Sequence, residues 1–229
     1  MQWAPAAAAF LPPAARAFAI PTRLPSTRGV LLSFDDGPHP QGTPAVLAAL
    51  DRAGISAVFF VSGEQAKRRP GLVREVAAAG HELALHGYRH QTRRQWLRGL
   101  LAEDTRRALD ALSGAAGAVP RLYRPPHGVF SLTGLRLVRR LALEPLLWSK
   151  WGRDWERDAT ASTIADAATD GLRAGDVVLL HDADHYGARG NWRATAAALP
   201  QIVERIAAAG LEATSVSTAP VPAWLALTI

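Results

Sequence analysis

The 229-residue sequence contains no cysteine, which excludes disulfides and thiolate zinc sites and leaves histidine and carboxylate to hold any metal. It also lacks a run of about 20 apolar residues, so no segment has the pattern of a membrane-spanning helix. A platform of interleaved aromatic and basic residues is missing too. The 26 lysines and arginines exceed the 20 acids to give a net charge of +6, but they are scattered, as in Lys67-Arg68-Arg69 and Arg93-Arg94. We read a solvated basic surface and expect no nucleic-acid partner, while an anionic membrane surface or a phosphorylated substrate fits the charge. There is no internal repeat, low-complexity linker or second domain. Residues 1–28, rich in alanine and proline, have no basic residue ahead of their apolar part, and Pro5, Pro12 and Pro13 interrupt it. They are therefore not read as a secretory leader.

What is present is regular alternation. Candidate strands fall at residues 30–34, 57–61, 82–86, 122–124, 145–149, 177–181 and 212–216. Helical stretches lie between them at 44–52, 72–79, 96–112, 133–141, 162–172 and 195–208. Gly54, Gly80, Gly175 and Gly210 punctuate helix ends. A repeated βα unit gives a parallel sheet, and about seven strands approach a barrel. The expected fold is a single-domain α/β distorted (β/α) barrel over residues 29–217, with an extension at 1–28 and a tail at 218–229.

Polar clusters fall at or just after the strand ends, which in a barrel form one mouth. SFDDG (33–37) brings the adjacent carboxylates Asp35 and Asp36, and HGYRH (86–90) brings His86 and His90. Asp-Gly-Pro is also an ordinary turn, but two neighbouring carboxylates repel and call for a cation. If 86–90 turns helically, both imidazoles share a face; one aspartate then completes a two-histidine, one-carboxylate metal site, and its neighbour is free as a base. RPPHG (124–128) is a rigid loop whose Arg124 can orient a base and keep it ionised. RDW (153–155) offers Asp154 and an aromatic wall, Trp155, whereas Trp148 reads as core. LLHD (179–182) ends a strand in His181, a candidate general acid, with Leu179 or Leu180 walling a methyl-sized pocket. The long loop at 183–192 is expected to cover part of the site. His39, His81 and His185 read as structural or peripheral.

These five motifs, in this order, resemble those of the polysaccharide deacetylases, the NodB-homology family or carbohydrate esterase family four. The likeness covers residues 29–217. It implies a distorted barrel that removes acetyl groups from N-acetylated sugars with one divalent metal, usually zinc, with cobalt, nickel or manganese as substitutes. By that pattern Asp35 is the catalytic base, Asp36, His86 and His90 bind the metal, Arg124 positions Asp35, and Asp154 tunes the acid His181. Pro126, His127, Gly128, Trp155 and Leu179 are the expected substrate contacts. Ser33 stands where threonine is usual and keeps the hydroxyl. His127 replaces an aromatic residue at a position expected to offer its backbone N–H to the oxyanion.

Three rival readings accompany this one. Two histidines and a carboxylate also mark non-haem iron oxygenases, though those sites sit on antiparallel strands. A non-catalytic carbohydrate-binding protein, or a deformylase or cyclic-amide hydrolase, could use the same fold. The partner is an N-acetylated saccharide and the favoured oligomeric state a monomer. The apolar Trp3, Phe10, Leu11, Phe18 and Ile20 either touch a membrane or fold back to plug the barrel bottom. The expected location is cytoplasmic or peripheral to the membrane, with secretion as the alternative.

Overall fold

Strand β1 (Gly29–Asp35) is buried along its whole length, as GVLLSFD must be if both faces of the sheet are covered. It is the centre of the computed structural model, which describes residues 2, 4–25, 29–91 and 98–215. After β1 come α2 (Gly42–Ala53), β2 (Val58–Val61), α3 (Gly63–Arg68), α4 (Pro70–Ala78) and β3 (Glu82–Leu85). Then follow α5 (Arg98–Ala116), β4 (Leu122–Tyr123), α6 (Leu132–Arg140), β5 (Glu144–Pro145) and β6 (Lys150–Trp151). The chain continues through α7 (Ala161–Thr169), β7 (Val177–His181), α8 (Trp192–Ala208) and β8 (Glu212–Thr214). A short helix, α1 (Pro12–Ala17), precedes β1. Val216, Ser217, the tail and Trp3 lie outside the described residues, as does the expected start of the fifth helix at residue 96.

Seven strands run in the order β5-β4-β3-β2-β1-β7-β6, and β8 pairs with β1. All these pairs are parallel. Phe34 stacks on Phe59 across β1 and β2, with ring centres 5.1 Å apart.

One expected strand is corrected. Residues 145–149 do not form a single strand: β5 closes one edge of the sheet against β4, and β6 opens the other against β7. A span of five residues reaches at most roughly 18 Å, so the edges lie near each other and the sheet curls into a barrel with a seam. The N-terminal segment covers that seam. Leu147 N–H donates to the Pro21 carbonyl (2.9 Å) and Leu24 N–H to that of Gly175 (2.7 Å), while Ala8, Ala15, Ile20 and Leu24 are buried.

Candidate active site

Consecutive side chains on a strand point to opposite faces, yet Asp35 and Asp36 line one pocket. The reason is local. Asp36 leaves β1 with φ of 79°, a left-handed conformation that a short polar side chain tolerates. Asp35 is also paired in register with His181 at the end of β7. The candidate base and acid are therefore cross-strand neighbours.

Arg124 fixes the first of them. Its guanidinium is fully buried and donates from Nη1 to Asp35 Oδ1 (2.6 Å) and Ser33 Oγ (3.0 Å). Its Nε and Nη2 donate to the carbonyls of Leu146 (3.0 Å) and Leu147 (3.1 Å), so the same side chain ties the seam to the centre of the sheet. The Phe60 ring lies 3.8 Å beneath it. The Ser33 hydroxyl in turn donates a hydrogen bond to the Val178 carbonyl (2.8 Å), which shows what a hydroxyl at that position does.

His181 is held as firmly. Its Nδ1 lies 2.8 Å from Asp154 Oδ1, and its backbone N–H donates to Asp154 Oδ2 (2.7 Å). Burial alone lowers this imidazole, but Asp154, then Asp36 and Asp35, outweigh it and push it up to about 10. Two residues without a motif complete the arrangement. Thr195 Oγ1 donates to Asp154 Oδ2 (2.8 Å) and Asn191 Nδ2 to the Asp154 carbonyl (2.7 Å). Only the burial of Asp154, which obliges it to find donors, could have pointed to them. Trp155 meets the His181 ring edge-on at 5.6 Å.

The segment 86–90 is not helical, so the helical condition under which the two imidazoles would share a face is not met. Gly87 has φ of 74°, and the loop is anchored by its carbonyls on α3: Gly63 N–H donates to Gly87 (2.9 Å) and Glu64 N–H to Tyr88 (3.0 Å). Asp104 of α5 accepts from Tyr88 N–H (2.9 Å). A helix is not needed for convergence. His86 Nε2 lies 3.4 Å and His90 Nε2 3.5 Å from Asp36 Oδ1, with all three donor atoms within 4.8 Å of one another. Two ligands roughly 2.1 Å from one divalent ion at a tetrahedral angle stand about 3.4 Å apart.

Asp36 Oδ1 and His86 Nδ1 are buried with no hydrogen-bond partner among the described residues. Burial raises Asp36, but His86, His90 and His181 prevail and hold it well below the usual carboxylate range. Burial drives His90 down to about 3, so its lone pair is available at neutral pH. An ionised carboxylate and a neutral imidazole are what a divalent cation requires.

His127 sits with φ of 57° beside Gly128 at 69°. A side chain at Gly128 would strike Trp148 and Ala9. The His127 ring meets that of His90 edge-on at 4.1 Å, and Tyr186 stacks on His90 at 4.2 Å. Of the expected substrate contacts, His127, Gly128, Trp155 and Leu179 line the pocket of about 470 Å³; Pro126 does not and lies buried behind the turn. The loop 183–192 does line it, through Ala183, Asp184, Tyr186, Gly187 and Asn191. Phe10 reaches the same pocket from the N-terminal segment, which also runs to the start of β7, where Arg23 bridges Asp176.

Comparisons with known proteins agree with this geometry. A family model described as polysaccharide deacetylase matches residues 23–146. A chitooligosaccharide deacetylase of Bradyrhizobium sp. (strain ANU 289) is 35% identical over 157 residues, 68% of this chain and 71% of that protein. A family 4 carbohydrate esterase from Streptomyces lividans, solved with acetate, is 32% identical with a TM-score of 0.74, covering 86% of this chain and 100% of that one. The Bc1960 peptidoglycan N-acetylglucosamine deacetylase is 25% identical with a TM-score of 0.81, covering 89% and 94%.

Proposed function

Because this chain belongs to the polysaccharide deacetylase family, we propose that it is a divalent-metal-dependent hydrolase removing the N-acetyl group from an N-acetylated sugar. The observation that carries the reading is a single pocket holding Asp36, His86 and His90 in ligand geometry beside two preset pairs, Arg124–Asp35 and His181–Asp154.

Asp36, His86 and His90 would hold the ion, and with cysteine absent the donor set favours zinc, with cobalt, nickel or manganese as substitutes. When bound, the ion supplies Lewis acidity that polarises the acetamide carbonyl and acidifies the attacking water. Asp35, held through Oδ1 by Arg124, turns Oδ2 to the pocket and takes the proton from that water. The backbone N–H at His127 faces the developing oxyanion. His181, cationic because of Asp154, gives its proton to the departing nitrogen as the C–N bond breaks. Water and amide become acetate and a free amino sugar. Leu179 and Gly128 shape the acetyl pocket, and Trp155 offers a flat face to the sugar ring.

The substrate is a chitooligosaccharide, a peptidoglycan fragment or a lipid-linked acetamido sugar. We place the protein, as a monomer, in the cytoplasm or at the membrane periphery, where the exposed Phe10 and Leu11 would touch lipid. The test is release of acetate and amine from a panel of these three substrates, with and without chelator. Release that stops with chelator and returns with added metal supports the reading. No acetate from any substrate by the metal-loaded protein overturns it.

A further inference from the structure

Beneath the N-terminal segment, on the far side of Phe10 and Trp151, lies a second cleft of about 700 Å³. It shares Phe10, Trp148 and Trp151 with the catalytic pocket. The Phe10 and Trp151 rings stand between the two, edge-on with centres 6.4 Å apart.

The two cavities differ in the charged side chains that line them. The catalytic pocket is lined by the carboxylates Asp35, Asp36, Asp154 and Asp184. The cleft is lined by Arg16 and Arg23 of the N-terminal segment and by Arg173 ahead of β7, and by no carboxylate. Arg23 is paired with the buried Asp176 (2.8 Å), whose carboxylate also accepts from Ser149 Oγ (2.5 Å) and Arg173 N–H (2.7 Å). Asp176 is thereby occupied. The Arg16 and Arg173 side chains have no carboxylate partner among the described residues. The remaining residues of the chain contain no aspartate or glutamate, so no side-chain acid elsewhere answers them.

Resting on the function proposed above, we propose that this cleft binds an oxyanion carried by the saccharide whose acetamido group enters the catalytic pocket. Guanidinium groups fit phosphate and carboxylate oxygens with paired, directional hydrogen bonds. Trp148 and Trp151 supply the flat apolar wall that a sugar ring bearing such a group needs. Arg16 and Arg173, without a carboxylate partner, leave positive charge unanswered in the cleft, and an anion would offset it. The oxyanion is either a phosphate ester, as on a carrier-linked sugar, or a carboxylate on the adjoining sugar.

The experiment compares kcat/KM of the metal-loaded enzyme on a neutral N-acetylglucosamine oligomer and on the same oligomer bearing a terminal phosphate or a neighbouring carboxylate. The anionic forms are expected to be preferred by about tenfold at low salt. The preference shrinks at high salt because these side chains are exposed and screened, and the better arm identifies the source of the oxyanion. In the double variant Arg16→Gln/Arg173→Gln the preference collapses toward unity. The ratio of two substrates on one preparation cancels any loss of active enzyme. A wild-type ratio near one, or a ratio unchanged in the variant, overturns the proposal while leaving deacetylation of the neutral oligomer intact. Should no substrate turn over, calorimetry with N-acetylglucosamine 1-phosphate decides separately. Binding weakened about tenfold by the double variant supports the cleft, and absent or unaltered binding removes it.

Discussion

Asp35 and Asp36 are adjacent and almost equally buried, 3% and 4% exposed, yet the protein treats their charges differently. Asp35 has its counter-charge built in, since Arg124 reaches it from just beyond β4 at 2.6 Å. The same holds across the pocket, where His181 has Asp154 at 2.8 Å. Asp36 faces three imidazoles at 3.4, 3.5 and 3.9 Å and leaves Oδ1 without a hydrogen bond. One side of the pocket is completed by folding alone. The other is completed by something that must arrive. A buried polar atom without a partner costs about 1–3 kcal/mol, so that side carries a standing cost until a cation offsets it.

The largest effect should come from deleting a ligand on the incomplete side. His90→Ala is expected to abolish metal binding and deacetylation together. In the parent protein Tm should rise with added metal, because an ion that binds only the folded state stabilises it by about 2.7 kcal/mol at 100 times its Kd. In the variant Tm should stop responding. Metal analysis and a melting series check both. A variant that kept full metal content would break the comparison at its root.

The completed side should behave otherwise. Asp35→Asn is expected to keep the metal and lose roughly 10²–10⁴ in turnover, the usual worth of a positioned proton acceptor. Asp36→Asn should lose the metal. If metal analysis gave the reverse, the roles of the two neighbours would be exchanged.

A subtler change is expected at the acid. Asp154 is the main group raising His181 to about 10, so Asp154→Asn should bring the alkaline limb of the pH–rate profile to lower pH. Stability follows the same sign. A histidine whose folded pKa is raised contributes fully below its unfolded pKa of about 6.5 and loses that contribution as pH rises through the folded value. The parent protein should therefore lose stability between about pH 6.5 and 10, and Asp154→Asn should lose less. Denaturant midpoints across that range measure it; identical slopes would mean that the pair does not hold the proton.

These residues were legible because strand ends and short polar motifs coincide. The strand ending in His181 was read with its observed bounds, and β1 was extended by one residue at each end. The parts that were not legible have a common cause. Periodicity reports burial, not which edge a strand joins, so 145–149 read as one strand although its ends serve opposite edges of the sheet. HxxxH read as one helical face because Gly87 announces no backbone angle by itself. Thr195 and Asn191 reach Asp154 from α8 and the residue before it through contacts that no local pattern encodes. Phe10 was visible only as apolar.

The smallest predicted effect concerns that residue and separates two uses of the N-terminal segment. Phe10 and Leu11 are exposed to a similar degree, 62% and 56%, so a membrane would engage both. Only Phe10 lines the catalytic pocket, edge-on to Trp151. An aromatic contact of this kind contributes about 0.5–1.5 kcal/mol, or roughly two- to tenfold in binding. Phe10→Ala should therefore raise KM on a soluble oligomer by that factor with little change in kcat, the pattern of binding lost equally from substrate and transition state. Leu11→Ala should leave KM as it was. Co-sedimentation with anionic vesicles supplies the other half: if both variants weaken vesicle binding and neither moves KM, the segment meets lipid and not sugar. If Phe10→Ala alone moves KM and vesicles are ignored, the segment belongs to the pocket, and the incomplete side, the completed side and the N-terminal wall together shape one groove.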